Sequence, residues 1–356
     1  MSEFDKYIVQ GEPDKKAKAN AWQTAIGLQD VDGLKPSEYL IKTAVQHIEG
    51  DITIDQVKDM LDTYYETKDV REHLDDERTE EADKVSARIT EILSEQSFSF
   101  TPDYLLRIHR RLFEGIYKHA GQLRNVNITK KEWVLNGDTV LYSNYDMLRE
   151  TLEYDFEQEK KTDYSVLNAD MAVKQICKFV SGIWQIHPFR EGNTRTTAVF
   201  TMKWLQTFGF SVDNDVFKDN SWYFRNALVR ANYNNIPKRI FATSEFLELF
   251  FRNLLFGEQN KLSNRTMLAG DPQSAIIEVS KSQNGTLNGT LNCNLDELAL
   301  LRFVKENPDA TQIEIAKHIG KSERTVKRMT PALIERGLLE RENGKRNGKW
   351  VVKCEI

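Results

Sequence analysis

The strongest constraint on this fold is a short break between two apolar helices. Val173, Ile176, Cys177, Val180, Ile183 and Trp184 recur at helical spacing upstream, and Val199, Phe200, Trp204, Leu205 and Phe208 do so downstream. Between them, residues 187 to 198 read His-Pro-Phe-Arg-Glu-Gly-Asn-Thr-Arg-Thr-Thr-Ala. Pro188 biases His187 away from helical angles, so the first helix is expected to stop near Ile186. Gly192 permits a tight turn and close approach of a ligand, and a second helix is expected from about Asn193. The first N–H groups of that helix lack intrahelical acceptors and point into the loop, which makes it an anion site.

The loop also collects chemistry. His187 is a candidate base for a hydroxyl and Glu191 a candidate magnesium ligand, while Asn193, Arg195 and the backbone of Gly192 and Thr194 offer donors to phosphate oxygens. Taken singly, each is an ordinary loop or surface residue, and only their order and spacing point to phosphate-transfer chemistry. The string resembles the signature of the Fic family, His-Pro-Phe-x-(Asp/Glu)-Gly-Asn-Gly-Arg-x-x-Arg, at His187, Pro188, Phe189, Glu191, Gly192, Asn193 and Arg195. Thr194 stands where the second glycine is expected, and Ala198 where the second arginine is expected.

The resemblance implies an enzyme that moves AMP from ATP to a Ser, Thr or Tyr hydroxyl of a target protein, or of itself, and releases pyrophosphate. In that mechanism His187 takes the hydroxyl proton, and Glu191 holds Mg2+ on the α- and β-phosphates. Asn193 and the N–H groups of Gly192 and Thr194 steady the phosphates, Arg195 helps carry charge on pyrophosphate, and Phe189 packs inward. A kinase similar to the Doc branch, another nucleotide transferase, and a catalytically weak Fic-fold DNA-binding regulator remain open as alternatives.

At 356 residues the chain has room for two or three domains, and its 40% hydrophobic and 29% charged composition is that of a globular protein. A formal net charge of -5 excludes whole-chain attraction to nucleic acid, so any basic surface must be local. Cys177, Cys293 and Cys354 lie far apart, without the paired spacing of a zinc site or a disulfide framework. With a polar N-terminus and no long apolar run, neither a signal peptide nor a membrane partner is expected, and the expected location is cytoplasmic.

The expected architecture is mainly α: a Fic-type helical core with a β-hairpin flap, an N-terminal helical segment and a C-terminal winged helix. Residues 1–65 read as a helical unit with breaks at Asp32-Gly33, at Pro36 before a Ser37 cap, and at Glu49-Gly50-Asp51. Leu28 to Leu34 resembles the antitoxin-type helix of Fic modules, whose (Ser/Thr)-x-x-x-Glu-Gly motif sets a glutamate against the second signature arginine. Asp32 takes the regulatory glutamate's position. The resemblance therefore implies a weak restraint, because Asp32 is one methylene short and Ala198 supplies no arginine.

Residues 66–256 form the expected Fic domain. Asp69 to Gln96 reads as a solvated helical connector, and Thr101-Pro102 starts a strongly apolar helix on which His109 is structural. Val126 to Ile128 and Thr139 to Tyr142, flanking Asn136-Gly137, read as the hairpin flap. By resemblance Thr129, Lys130 and Lys131 hang over the nucleotide, and Tyr223, Asn226 and Tyr233 are candidates for base contacts. Residues 257–294 read as a linker with a strand at Ala275 to Val279. Residues 295–356 resemble a winged helix-turn-helix domain, with Lys321, Arg324, Lys327 and Arg328 on its recognition helix and Lys345 and Arg346 in its wing. DNA is the expected partner of that domain, the alternative being a docking or dimerisation module, so a homodimer stays open.

Overall fold

The computed structural model describes residues 3–67, 74–210, 215–270, 292–342 and 348–354. Among these the chain is mainly α-helical, with one two-stranded sheet. The N-terminal region comprises α1 (Asp5–Gln10), α2 (Pro13–Gly27), a 3-10 turn (Leu28–Asp32), α3 (Glu38–Glu49) and α4 (Ile54–Thr67). Its breaks fall where the sequence places them. Gly33 closes the turn at φ 67°, Ser37 caps α3 by accepting from the Leu40 N–H at 3.0 Å, and Gly50 stops that helix at φ 89°. A polar cap of this kind contributes about 1 kcal/mol. Trp22, Leu40, Ala44, Ile48, Val57 and Leu61 form a hydrophobic cluster of their own beneath these helices.

Helix α5 (Leu74–Ser94) corrects the expectation of a solvated connector. Asp83, Val85, Ser86, Ile89 and Ile92 on it are fully buried. Its charges find partners on other elements: Asp83 accepts from the Ser37 N–H at 2.8 Å and the Tyr65 hydroxyl at 2.7 Å, and Lys84 pairs with Asp62 at 2.8 Å. Buried charge is tolerated only when paired in this way.

The main core is built by α6 (Pro102–Phe113), α7 (Leu148–Lys160), α8 (Ala169–Ile186), α9 (Asn193–Gln206), α10 (Asp215–Ala231, broken at Asn220) and α11 (Glu245–Phe256). Thr101 caps α6, accepting from the Tyr104 N–H at 3.2 Å, and proline follows it as expected. Phe100 sits among Phe156, Phe179, Phe200 and Trp204, with ring centroids 5.0 to 5.9 Å away, which ties α7, α8 and α9 together.

Between α6 and α7 the chain reverses at Asn136 (φ 55°) and Gly137 (φ 86°), where the flap turn was expected. Its arms do not form a strand ladder. The Glu132 N–H donates to the Asp138 carbonyl at 2.9 Å, but a 3-10 turn (Trp133–Leu135) follows, and other groups take the backbone acceptors that cross-strand pairing would need. Gln185 donates to the Leu141 carbonyl at 3.1 Å, Arg124 to the Val126 carbonyl at 2.7 Å, and the Ala269 N–H to the Val134 carbonyl at 2.8 Å.

After residue 292 come α12 (Leu295–Glu306), α13 (Gln312–His318), α14 (Glu323–Glu335), and strands β1 (Leu339–Glu342) and β2 (Lys349–Val352), antiparallel with Leu339 opposite Val352. Asn294–Glu297 and Thr311–Glu314 form reciprocal capping boxes, and Ser322 caps α14. Arg302 on α12 donates to the Leu254 and Leu255 carbonyls, which fastens this unit to the end of α11. The expected strand at Ala275 to Val279, and most of the expected linker, lie outside the described residues.

Candidate functional site

Helix α8 ends at Ile186 and α9 begins at Asn193, so the loop lies where Pro188 and Gly192 dictate. His187 occupies the left-handed region at φ 51° and ψ 58°, a conformation costing a non-glycine residue about 1 kcal/mol. It is imposed by the surroundings. The His187 N–H donates to the Trp184 carbonyl at 3.0 Å, Arg124 Nε donates to the His187 carbonyl at 2.8 Å, and the Tyr142 ring lies 4.2 Å from the imidazole. Nδ1 faces the Trp184 carbonyl at 3.3 Å, so it carries the proton, while Nε2 is buried without a hydrogen-bond partner among the described residues. Burial, reinforced by Lys130, holds the imidazole pKa well below its ordinary value. The ring is neutral, with a free lone pair on Nε2.

Buried struts hold the loop. His109 stacks on Phe189 at 3.7 Å, accepts from the Gly121 N–H at 2.8 Å through Nδ1, and reaches the Glu191 carbonyl at 3.1 Å through Nε2. Its structural role is as expected, and Phe189 is indeed an inward anchor, 1% exposed. Asn193 braces the turn: its Oδ1 accepts from the Phe189 N–H at 2.9 Å and its Nδ2 donates to the Phe189 carbonyl at 2.8 Å. Thr194 fits in place of glycine because its side chain turns into the core and accepts from Trp184 Nε1 at 3.0 Å. Gly192, at φ 74°, leaves no room for a side chain, since a Cβ there would lie 2.4 Å from the Phe113 ring.

Arg195 is 1% exposed, enclosed by the N-terminal 3-10 turn, α5 and α6. Its Nη2 donates to Glu81 of α5 at 2.5 Å, its Nη1 to Gln29 at 3.1 Å, and its guanidinium lies 4.8 Å from the Phe113 ring centre. Nε lies 2.8 Å from the Asp32 carboxylate, an ion pair by distance although the N–H is out of line for a hydrogen bond. Asp32 also lies 3.4 Å from Arg225 Nη1, and Arg225 Nη2 forks onto both oxygens of Glu132 at 3.1 and 3.2 Å. This corrects the expectation that Asp32 has no arginine to meet. Ala198 is fully buried in the core, and Asp32 pairs instead with Arg195 and Arg225.

The other candidates divide. Lys130 reaches the loop, 2.8 Å from the Glu191 carboxylate, while Thr129 beside it is exposed. Tyr223 turns into the core, 1% exposed, its hydroxyl donating to the Phe246 carbonyl at 3.1 Å. Tyr233 donates to Asp138 at 2.6 Å, and Asn226 donates to Asn264 at 2.8 Å while its buried Oδ1 has no hydrogen-bond partner among the described residues. Sequence reasoning missed Glu81, Gln29, Arg225, Glu132 and Arg124, whose roles depend on partners dozens of residues away.

A cavity of about 680 Å³ lies at the opposite end of α9 between the N-terminal helices and α13. Lys203 and Lys18 there donate to the carbonyls of Glu95 and His47, and none of residues 187 to 195 lines the cavity. Among the described residues no three His, Cys, Asp or Glu side chains come together as a metal site. Glu191 remains a single half-exposed carboxylate at the loop, which fits magnesium shared with substrate phosphates and not an all-protein cage. Among the described residues no helix is long and apolar enough to cross a membrane.

On α14, Arg324, Lys327 and Arg328 are exposed; Lys327 pairs with Glu323 at 2.6 Å within the helix, and Lys321 pairs with Asp296 at 2.8 Å. Lys345 and Arg346 lie outside the described residues.

Comparison with known proteins matches both regions. Residues 99–205 match the Fic/DOC family, and residues 297–340 match the winged helix-turn-helix DNA-binding family. The protein adenylyltransferase VbhT of Bartonella schoenbuchensis is 27% identical over 120 residues, covering 33% of this chain and 24% of that relative's length. The chain thus contains a Fic-family domain, built around the loop at His187, and a C-terminal winged helix-turn-helix domain.

Proposed function

We propose that this chain is a nucleotidyltransferase that moves AMP from ATP to a side-chain hydroxyl of a target protein or of itself. The observation that carries the reading is His187: neutral, locked in a left-handed cap, with its buried Nε2 unpartnered beside the first turn of α9. As the hydroxyl oxygen bonds to the α-phosphorus, its proton passes to Nε2, the bond from phosphorus to the β-bridging oxygen breaks, and pyrophosphate leaves. The first-turn N–H groups of α9 hold phosphate oxygens, and Asn193 acts through the turn it braces. Lys130 adds positive charge above the loop. Glu191 would hold magnesium, which when bound neutralises phosphate charge.

ATP labelled separately at the α- and γ-phosphates tests this. The expected result is α-label on protein, lost in His187→Ala while ATP affinity stays within about threefold, because the base acts on the hydroxyl. Transfer of the γ-label would establish phosphoryl transfer instead. No transfer of either label by the parent or by an Asp32→Ala variant would leave a nucleotide-sensing regulator.

A second reading concerns the C-terminal domain, where Arg324 and Arg328 are exposed on α14 with no ion pair among the described residues. Duplex DNA is its proposed partner, held chiefly through phosphates. Fluorescence anisotropy with the full chain should show binding that weakens steeply as salt is added.

A further inference from the structure

The cavity at the far end of α9 is walled by three regions of the chain: α2 and α3 of the N-terminal region, the ends of α5 and α9 in the core, and the end of α13 with the turn after it. The sequence explains why it is hollow. Ala17, Ala21 and Thr24 recur at helical spacing on α2 and give the wall short side chains. Gly209, at φ 82°, lets the chain after α9 meet the winged helix so closely that a Cβ there would lie 2.7 Å from the Ile319 Cα. The space left, about 680 Å³, suits a small organic molecule, whose sites typically measure about 300 to 1,000 Å³.

The cations and donors of the lining are under-used. Lys203 is 2% exposed, its ammonium has three N–H donors, and among the described residues only the Glu95 carbonyl accepts from it. Burial lowers its pKa, with Glu95 opposing that effect and Arg111 adding to it, as for a cation short of compensating charge. Lys18 meets the His47 carbonyl at 3.3 Å, and Lys317 is exposed with no ion pair among the described residues. Trp22 Nε1 donates to His47 Nδ1 at 3.0 Å, so the imidazole proton sits on Nε2, which has no acceptor among the described residues. The acids of the lining are engaged elsewhere: Arg111 forks onto both oxygens of Glu95 at 2.8 and 2.5 Å, and Asp14 stands exposed on the first turn of α2. Leu93, Phe98 and Phe210 supply an apolar wall.

We propose that this cavity binds a phosphomonoester with a compact ring-shaped body, the phosphate on Lys203, Lys18 and Lys317 and the ring against Phe98 and Phe210. Three ammoniums and an imidazole N–H outnumber the two oxygens of a monocarboxylate, whereas a phosphate brings three terminal oxygens and nearly twice the charge. Lysine acts as a point charge on a flexible stem, so the site selects by charge and volume. None of residues 187 to 195 takes part, and the proposal stands apart from the transferase reading.

Calorimetric titration of the full chain with phenyl phosphate, benzoate and inorganic phosphate tests it. Phenyl phosphate should bind about tenfold tighter than either of the others, because it alone offers both the dianion and the ring. Lys203→Met and Lys18→Met should each weaken it about tenfold, and the exposed Lys317→Met about threefold. Ala21→Leu, which fills the hollow and leaves every charge in place, should abolish binding. If Lys203→Met fails to fold, Lys18→Met and Ala21→Leu decide by the same criterion. Lys130→Met and Arg324→Ala remove cations at the loop and on α14, and should leave the affinity unchanged. Binding that falls with Lys130→Met but not with Lys18→Met would place the phosphate at the loop and overturn the proposal. So would benzoate binding as tightly as phenyl phosphate, or no binding of phenyl phosphate at all.

Discussion

Arg195 and the arginines of α14 carry the same charge in opposite settings. Arg195 is 1% exposed and held by Glu81, Gln29 and Asp32, whereas Arg324 and Arg328 stand in solvent with no ion pair among the described residues. A buried arginine has already lost its water, so its energy is fixed by the carboxylates around it, and a ligand gains access only by exchanging with one of them. An exposed arginine keeps its counterions until a polyanion replaces them. The first arrangement makes the arginine part of the fold, and the second leaves it in solvent with its counterions.

The comparison can be broken most directly through stability. Arg195→Met leaves Glu81, 15% exposed at its side chain, without its cation and Asp32 with Arg225 alone, and breaking one side of a buried pair costs about 3 to 5 kcal/mol. Arg324→Ala and Arg328→Ala should each change stability by less than about 0.5 kcal/mol, as surface substitutions do. Urea unfolding of the full chain reads both. If Arg195→Met unfolds at the parent's midpoint, the carboxylates around Arg195 are not a structural group.

This contrast also explains what was legible in the sequence. Helix ends at Gly33, Ser37, Gly50, Thr101, Ile186 and Asn193 follow from local chemistry, since a proline, a glycine or a capping hydroxyl acts on its neighbours whatever the rest of the chain does. The loop was legible for the same reason: its parts are contiguous. The pairing of Asp32 was not, because its partners lie at 195 and 225, and a missing arginine at 198 concealed an available one on another helix. Helix α5 misled in a related way, since acids that meet Ser37, Tyr65 and Arg195 look in sequence like a solvated stripe. The flap's arms failed as strands because Arg124, Gln185 and residue 269 claim their backbone groups, and no periodicity announces that.

A smaller effect sharpens the comparison through pH. Burial pushes the His109 pKa down to about 3 from an ordinary 6.5, with His119 and Arg195 adding to the lowering and its bond to the Glu191 carbonyl opposing it. The unfolded chain binds a proton at 6.5 that the folded chain refuses, so the stabilising contribution is complete above 6.5 and is lost as pH falls toward 3. At pH 5 the loss from this ring is about 2 kcal/mol. His109→Phe keeps a ring beside Phe189 and removes the titration. Its stability should start below the parent's at pH 7.5, because two hydrogen bonds are gone, and fall less steeply toward pH 5. Parallel curves for parent and variant would show that His109 is not the neutral strut its contacts describe. Arg324→Ala should leave the slope untouched.

The smallest effect lies on the exposed side and tests the other half of the comparison. For each DNA phosphate that is no longer neutralised, the slope of log affinity for duplex DNA against log salt should become shallower by about one. Arg324→Ala and Arg328→Ala should each do this, and the double variant should flatten the slope further than either. Lys327 already has Glu323 as a partner on its own helix, so Lys327→Ala should flatten the slope less than either arginine substitution. Asp32→Ala provides the control: it alters the charge near Arg195 and Arg225 and should leave the salt slope for DNA unchanged. A slope that responds to Asp32→Ala but not to Arg324→Ala or Arg328→Ala would place the polyanion on the loop side of the molecule, and the division between a buried, fold-holding arginine and the counterion-releasing ones would have to be reversed.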